Sequence, residues 1–167
     1  MNMDVIWPVI YALSSVAFVS FMFVIAFGAP FLPTLKPQVK RAIDLVDLMP
    51  GQTLLELGSG DGRILNEAAA RGIYCIGYEL NPLLVIYSLW VTRKNRKYIK
   101  IKMKNYWKIE LPKCDGVFVF LLDPYMQKLD KKIQKEKKGR VRLVSFAFKI
   151  PNKKPSKISD GLYLYEY

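Results

Sequence analysis

"LLELGSGDGR", residues 54–63, sets three glycines and two acids at the end of an apolar run that begins at Thr53. Residues 53–57 have the length and composition of a strand. "RILNEAAARG" after the glycines reads as a helix stopped by Gly72 at its C′ position. A strand, a glycine turn and a helix N-terminus make a place where backbone N–H groups meet an anionic or polar ligand. Residues 73–78, "IYCIGY", form the next strand, which ends at Glu79.

Outward from this unit the same alternation continues. Asn81-Pro82 is an N-cap and first-turn pair opening a helix through Leu84, Ile86, Tyr87, Trp90 and Val91 to a basic end at Arg93, Lys94, Arg96 and Lys97. Residues 99–103 suit a short edge strand. "GVFVFLL", 116–122, has the continuous apolar character of a strand buried on both faces. Met126, Leu129 and Ile133 stripe a helix that is otherwise mostly Lys, and residues 141–148 and 161–167 are two further strands. On the N-terminal side, Val39, Ala42, Ile43, Val46 and Met49 recur at helical spacing. Strands alternating with helices predict an α/β domain, a mostly parallel sheet covered on both faces. The domain is short for this architecture, so one late strand is expected to be missing or irregular around residues 149–159.

The N-terminal fifth is a different material. All 26 Lys and Arg lie from Lys36 onward, with 13 of the 14 acids, so residues 36–167 carry about +13. Residues 5–27 hold 23 positions without a charge. As a helix they reach about 35 Å, enough to span the hydrocarbon core of a bilayer. The start is acidic and the run too long for a cleaved signal peptide. We therefore expect a single transmembrane anchor and joint in residues 1–35 and a catalytic domain in 36–167. Lys36, Lys40 and Arg41 put that domain on the cytoplasmic side, or the matrix side in a mitochondrion. The chain has no histidine, which excludes His-based zinc sites, Ser-His triads and imidazole bases together. Cys75 and Cys114 lack metal-ligand spacing and read as core.

Two cofactor classes compete for the glycine turn. Dinucleotide sites usually read G-x-G-x-x-G and leave the helix N-terminus free for a pyrophosphate. Here the turn is Gly58-Ser59-Gly60-Asp61-Gly62, with Glu56 ahead of it. Two carboxylates disfavour a pyrophosphate but attract a sulfonium and an amino group. Glu79, 21 positions after Gly58, has the spacing at which an acid reaches a ribose diol. The pattern favours S-adenosylmethionine over a nicotinamide or flavin nucleotide, and over a purely structural turn.

"LLELGSGDGRI", "GYELNPLLVIYS", "WKI" and "QKLDKKIQKE" resemble the membrane-anchored lysine methyltransferases that modify the adenine nucleotide translocase and the ATP synthase c subunit. The likeness runs from about residue 54 to 167. It implies a class I, Rossmann-like methyltransferase fold and a protein lysine as acceptor. It also implies a cofactor site in which Gly58, Gly60 and Asp61 hold the methionine end with Glu56 nearby, Glu79 takes the ribose and Asn105 the adenine, with Ser59, Gly62, Leu80 and Tyr106 among its binding residues. Asn105 stands where the family has an acid, and its amide oxygen can still accept from the adenine amino group. Asp123-Pro124-Tyr125 departs from the animal members, which carry an uncharged residue before the proline.

Methyl transfer from a sulfonium needs an unprotonated amine placed in line, so positioning can supply about 7–11 kcal/mol of the barrier. We expect Asp123, at the C-terminal end of a central strand, to orient the amine, and Tyr125 to wall its channel. The plain alternative is that Asp123 caps the following helix. Asp123-Pro124-Tyr125 also resembles the Asp-Pro-Pro-Tyr stretch of nucleic-acid amino methyltransferases. With the net charge of +12 this makes an exocyclic amine of RNA or DNA the rival acceptor. A basic surface beside a bilayer has anionic headgroups as a simpler partner. The expected substrate is accordingly a small membrane protein with an accessible lysine. A scaffold that binds the cofactor without turnover is the third reading.

Overall fold

The structure is a computed structural model that describes residues 3–27 and 32–167, with the backbone but not the side chains of 3, 4, 17, 20, 21 and 23–27. The chain divides into two compact units, Met1–Leu32 and Pro33–Tyr167. In the first, α1 (Met3–Phe27) is a helix with Pro8 inside it, and the Ser14 hydroxyl donates back to the Tyr11 carbonyl at 3.0 Å. Among the described residues no helix is long and apolar enough to cross a membrane. The expected span over 5–27 falls partly on side chains outside the described set, and it gains no support from the structure.

The second unit is a seven-stranded sheet of order β3-β2-β1-β4-β5-β7-β6. Its elements in chain order are α2 (Lys36–Val46), β1 (Thr53–Leu57), α3 (Arg63–Ala70), β2 (Tyr74–Glu79), α4 (Pro82–Val91), β3 (Ile99–Met103), β4 (Gly116–Val119), α5 (Asp123–Glu136), β5 (Arg142–Phe146), β6 (Lys157–Ser159) and β7 (Leu162–Glu166). Strands β1 to β5 pair in parallel, whereas β7 runs antiparallel between β5 and β6. This is the mostly parallel sheet that the alternation of elements predicted, in the class I, Rossmann-like arrangement that the family resemblance implied.

Period-two alternation in the central strands feeds two cores, one on each face of the sheet. Leu54, Phe118 and Val144 join α2 and α3 in one; Leu55, Leu57, Val117, Val119 and Leu143 join Met126, Leu129 and Ile133 of α5 in the other. Gly116–Val119 is buried along its whole length, as a parallel strand covered on both faces must be. It ends three residues earlier than the apolar run suggested. β5 also stops short, because Ala147 takes φ +67°, a conformation no strand accepts. The late strand expected to be missing is present as the three residues of β6, joined to β7 by a turn in which Asp160 and Gly161 both have positive φ.

β1 and β4 are neighbours whose chains leave in opposite directions along the sheet, so a crevice opens beyond their C-terminal ends. The glycine turn lies at the end of β1, Glu79 at the end of β2, and Asp123-Pro124-Tyr125 just past β4.

Candidate functional site

The glycine turn is held by the neighbouring strand. Gly58 and Ser59 both donate their N–H to the Tyr78 carbonyl at 2.9 Å. Gly58 has φ +83°, and a Cβ built there would meet nothing within 4 Å, so the backbone faces open space. Beneath the turn the opposite holds. Gly77, paired with Glu56 across β1 and β2, leaves room for Ser59, since a Cβ there would stand 2.8 Å from Ser59 Oγ and 2.6 Å from Leu65 Cδ1. Gly77 is thus a site residue that the motif alone did not single out.

Glu79 closes the other side of the turn. Its Oε2 accepts from the Gly60 N–H at 2.8 Å, and its Oε1 accepts from Leu80 at 2.7 Å and Asn81 at 2.8 Å. A carboxylate has about four acceptor positions, so roughly one remains for a ligand. The Asn81 side chain accepts from Leu83 at 3.0 Å and caps α4, which fixes the backbone on which Glu79 and Leu80 sit.

Three carboxylates converge here. Glu56 is 4% exposed, and its Oε2 has no hydrogen-bond partner. Burial, then the charges of Asp61 and Glu79, push its carboxyl well above the usual carboxylate range. Asp61 is held by Arg63, whose Nε lies 2.9 Å from both carboxylate oxygens while its Nη1 donates to the Thr34 carbonyl at 2.6 Å. That pairing was not anticipated, although an arginine two residues beyond the acid signals it. Among the described residues no group of acids, His or Cys is disposed to hold a metal ion.

The facing wall is aromatic. Asn105 accepts the Trp107 N–H at 2.9 Å and so caps a single 3₁₀ turn, residues 106–108, leaving its second oxygen lone pair free. Tyr106 and Trp107 rings lie 4.8 Å apart, and Trp107 and Tyr125 rings 6.3 Å apart. Burial pushes the Tyr106 hydroxyl above the ordinary tyrosine range, with the charges of Glu79 and then Tyr125 adding to it. The Lys128 ammonium sits 4.6 Å from the Trp107 ring centre. Trp107 is the member of this wall that sequence reasoning passed over.

Asp123 is exposed at the first position of α5, and the N-cap, Leu122, offers no side-chain cap. Its carboxylate stands near the positive end of the helix, where it is favoured by the dipole. Gly58, Ser59, Gly60, Asp61, Gly62, Glu56 and Glu79 are thus gathered at the ends of β1 and β2. Leu80, Asn105 and Tyr106 lie toward β3, and Asp123 and Tyr125 lie past β4.

A family model described as "ANTKMT methyltransferase domain" matches residues 56–157. The chain is 30% identical over 143 residues to the human lysine N-methyltransferase of the ATP synthase c subunit; the match takes in 82% of this chain and 61% of that protein. It is 33% identical over 144 residues to the mouse adenine nucleotide translocase lysine N-methyltransferase, covering 82% of this chain and 62% of that one. This chain therefore spans about three fifths of the length of these curated relatives. Among solved structures, an RNA methyltransferase from Salinibacter ruber in complex with S-adenosyl-L-homocysteine superimposes with a TM-score of 0.75 at 26% identity, covering 81% of this chain and 92% of that one.

Proposed function

The chain belongs to the ANTKMT methyltransferase domain family, and from that membership and the site we propose that it transfers a methyl group from S-adenosylmethionine to the side-chain amine of a protein lysine. One observation carries the cofactor assignment. A bare glycine turn is ringed by three carboxylates, one of them buried with an unpartnered oxygen, and this suits a ligand bearing both a sulfonium and an ammonium. A pyrophosphate would find the N–H groups of Gly58, Ser59, Gly60 and Gly62 already bonded within the protein.

When bound, the donor supplies an electrophilic methyl carbon on a cationic sulfur. The residues of this chain hold and place what reacts. Glu79, already anchored by three N–H groups, offers its remaining acceptor position to the ribose diol. Gly58, Ser59 and Gly60 let the backbone approach the methionine end, Gly62 lets α4 pack against the turn, and Glu56 offers its buried, unpartnered carboxyl oxygen to the donor. The Asp61–Arg63 pair holds the turn in shape. Leu80 and Tyr106 flank the adenine, and Asn105 accepts from its amino group. Across the crevice Trp107 and Tyr125 wall the acceptor channel and exclude water. Desolvation in that setting favours the neutral amine. The Asp123 carboxylate accepts an N–H from the amine and turns its lone pair inward. With no histidine in the chain, positioning carries the acceleration.

We further read residues 1–35 as a single-pass anchor and joint and 36–167 as the catalytic domain, on the cytoplasmic or matrix side. The support is the uncharged run of 23 residues and the exclusive placement of Lys and Arg after it. The acceptor is then a small membrane protein, and anionic headgroups neighbour the domain. The test is a tritiated-methyl assay on native membranes beside calorimetry with the donor. Label in a small hydrophobic protein, lost in Asp123→Asn with native circular dichroism and unchanged donor affinity, is the expected result. The RNA methyltransferase neighbour favours a second reading, an exocyclic amine of RNA. Label in RNA would replace the lysine assignment, and donor binding without label would leave a scaffold.

A further inference from the structure

α4 is amphipathic in reverse. The helix packs on α3 and β3, and the side chains it buries are small and polar. Ser88 is fully enclosed, and Thr92 just past the helix is 2% exposed. Their hydroxyls are satisfied within the helix, Ser88 to the Val85 carbonyl at 2.9 Å and Thr92 to the Ser88 carbonyl at 2.7 Å. The close approach to Gly62 explains the small residues, because a Cβ there would stand 3.0 Å from Thr92 and 3.1 Å from Ser88. The large apolar side chains point the other way. Leu83, Ile86, Tyr87, Leu89 and Trp90 are 49–65% exposed, an arrangement that costs hydration free energy unless something covers it.

The surroundings say what kind of surface would do so. From Leu80 to Ile109 there are eight Lys and Arg and no Asp or Glu. Arg93, Lys94, Arg96 and Lys97 follow the helix, and Lys100 and Lys102 lie on the neighbouring edge strand β3, all of them exposed. Arg93 lies over the Trp90 ring at 4.6 Å, which joins the basic rim to the apolar patch. A second copy of this face would meet it with like charge and be repelled. A single-stranded nucleic acid could stack on Tyr87 and Trp90, but it leaves Leu83, Ile86 and Leu89 wet, since aliphatic side chains offer no ring face. An anionic bilayer surface satisfies both halves: aliphatic side chains enter the acyl boundary, Trp and Tyr sit at headgroup depth, and the basic rim meets phosphate.

We propose that α4, with the basic segment after it, docks flat on an anionic lipid surface. The docking is separate from the N-terminal anchor and orients the domain by its β3 side. Each basic side chain near such a surface strengthens attachment about fivefold.

The experiment uses the full chain reconstituted with vesicles and labelled at Ile86→Cys with an environment-sensitive nitrobenzoxadiazole. Both native cysteines are buried and do not compete for the label. Vesicle flotation reports attachment by any route, while quenching by a lipid-borne nitroxide reports contact at residue 86. We expect blue-shifted, quenched emission with phosphatidylcholine–phosphatidylglycerol vesicles and little with phosphatidylcholine alone. A control label at Lys131→Cys on α5 should stay unquenched. Arg93→Gln with Lys97→Gln should weaken docking about 25-fold, two steps of the same factor. Flotation without quenching at residue 86 keeps the anchor and overturns this surface; no flotation overturns both. A blue shift without lipid that grows with protein concentration assigns the face to a second copy, and one independent of concentration assigns it to the chain's own N-terminal segment. A shift produced by RNA and not by vesicles assigns the face to nucleic acid. Each of these three results overturns the proposal.

Discussion

Gly77→Ala tests the packing on which the glycine turn rests. The added Cβ would stand 2.6 Å from Leu65 Cδ1, 2.8 Å from Ser59 Oγ and 2.9 Å from Ser59 Cβ. Ordinary contacts of this kind begin at 3.4 Å, so the worst of them is short by about 0.8 Å. Neither neighbour yields easily: Leu65 is fully buried, and the Ser59 N–H is tied to Tyr78 at 2.9 Å. Overpacking of this size costs about 1–3 kcal/mol. For the 135-residue unit Pro33–Tyr167 that corresponds to a fall in Tm of about 3–12 °C. Displacement of Ser59 drags the turn with it, so donor affinity should weaken about tenfold, or 1.4 kcal/mol. Urea and thermal unfolding with donor calorimetry measure both. Gly77→Ala combined with Ser59→Gly removes two of the three clashes but keeps the shortest, so it should recover part of the stability loss. If Gly77→Ala melts and binds donor as the parent does, the turn is not set by this contact and the reasoning fails.

Glu79→Gln replaces one acceptor oxygen by a donor facing a backbone N–H. It should cost about 1.5–3 kcal/mol of stability in urea unfolding and at least about tenfold in donor affinity by calorimetry. Glu56 gives a pH signature. Its folded carboxyl is raised, so above the unfolded value of about 4.5 the folded state holds the extra proton and stability falls as pH rises through the window up to the raised value. Glu56→Gln should flatten that slope, unfold at higher urea near neutral pH, and bind donor more weakly; a steeper slope would contradict it. Burial pushes both the Cys75 and Cys114 thiols up to about 12. Iodoacetamide should therefore modify neither in the native protein and both in urea, as mass spectrometry will show.

Short-range signals in the sequence carried the first half of the domain. A strand, glycine turn and helix in 53–70, and an acid followed by an Asn-Pro cap at 79–82, are contiguous patterns whose geometry is set locally. The glycine turn after β1 and the Asn81 cap were both readable from residue type. Sheet order was less readable, because the insertion of β7 between β5 and β6 depends on pairing partners distant in sequence. The apolar run at 116–122 exceeded its strand because Phe120 and Leu121 remain in the cores after the chain has left the sheet. Periodicity placed α4 but could not say which face turned inward. The close approach of Ser88 and Thr92 to Gly62, a contact distant in sequence, goes with the small inner face. The aromatic wall likewise joins residues 106–107 to 125, which only the tertiary fold brings together.

The strand order places the residues proposed to hold the donor at the ends of β1, β2 and β3, and Asp123 and Tyr125, proposed to face the acceptor, past β4 on the other half of the sheet. In that reading the layout is modular: the segment after β4 can be exchanged while the hydrogen bonds of the glycine turn and Glu79 stay in place. A graft of residues 120–126 from a relative with another substrate therefore becomes a way to retarget the reaction, and drift at these few positions is the cheapest route by which a lineage acquires a new acceptor.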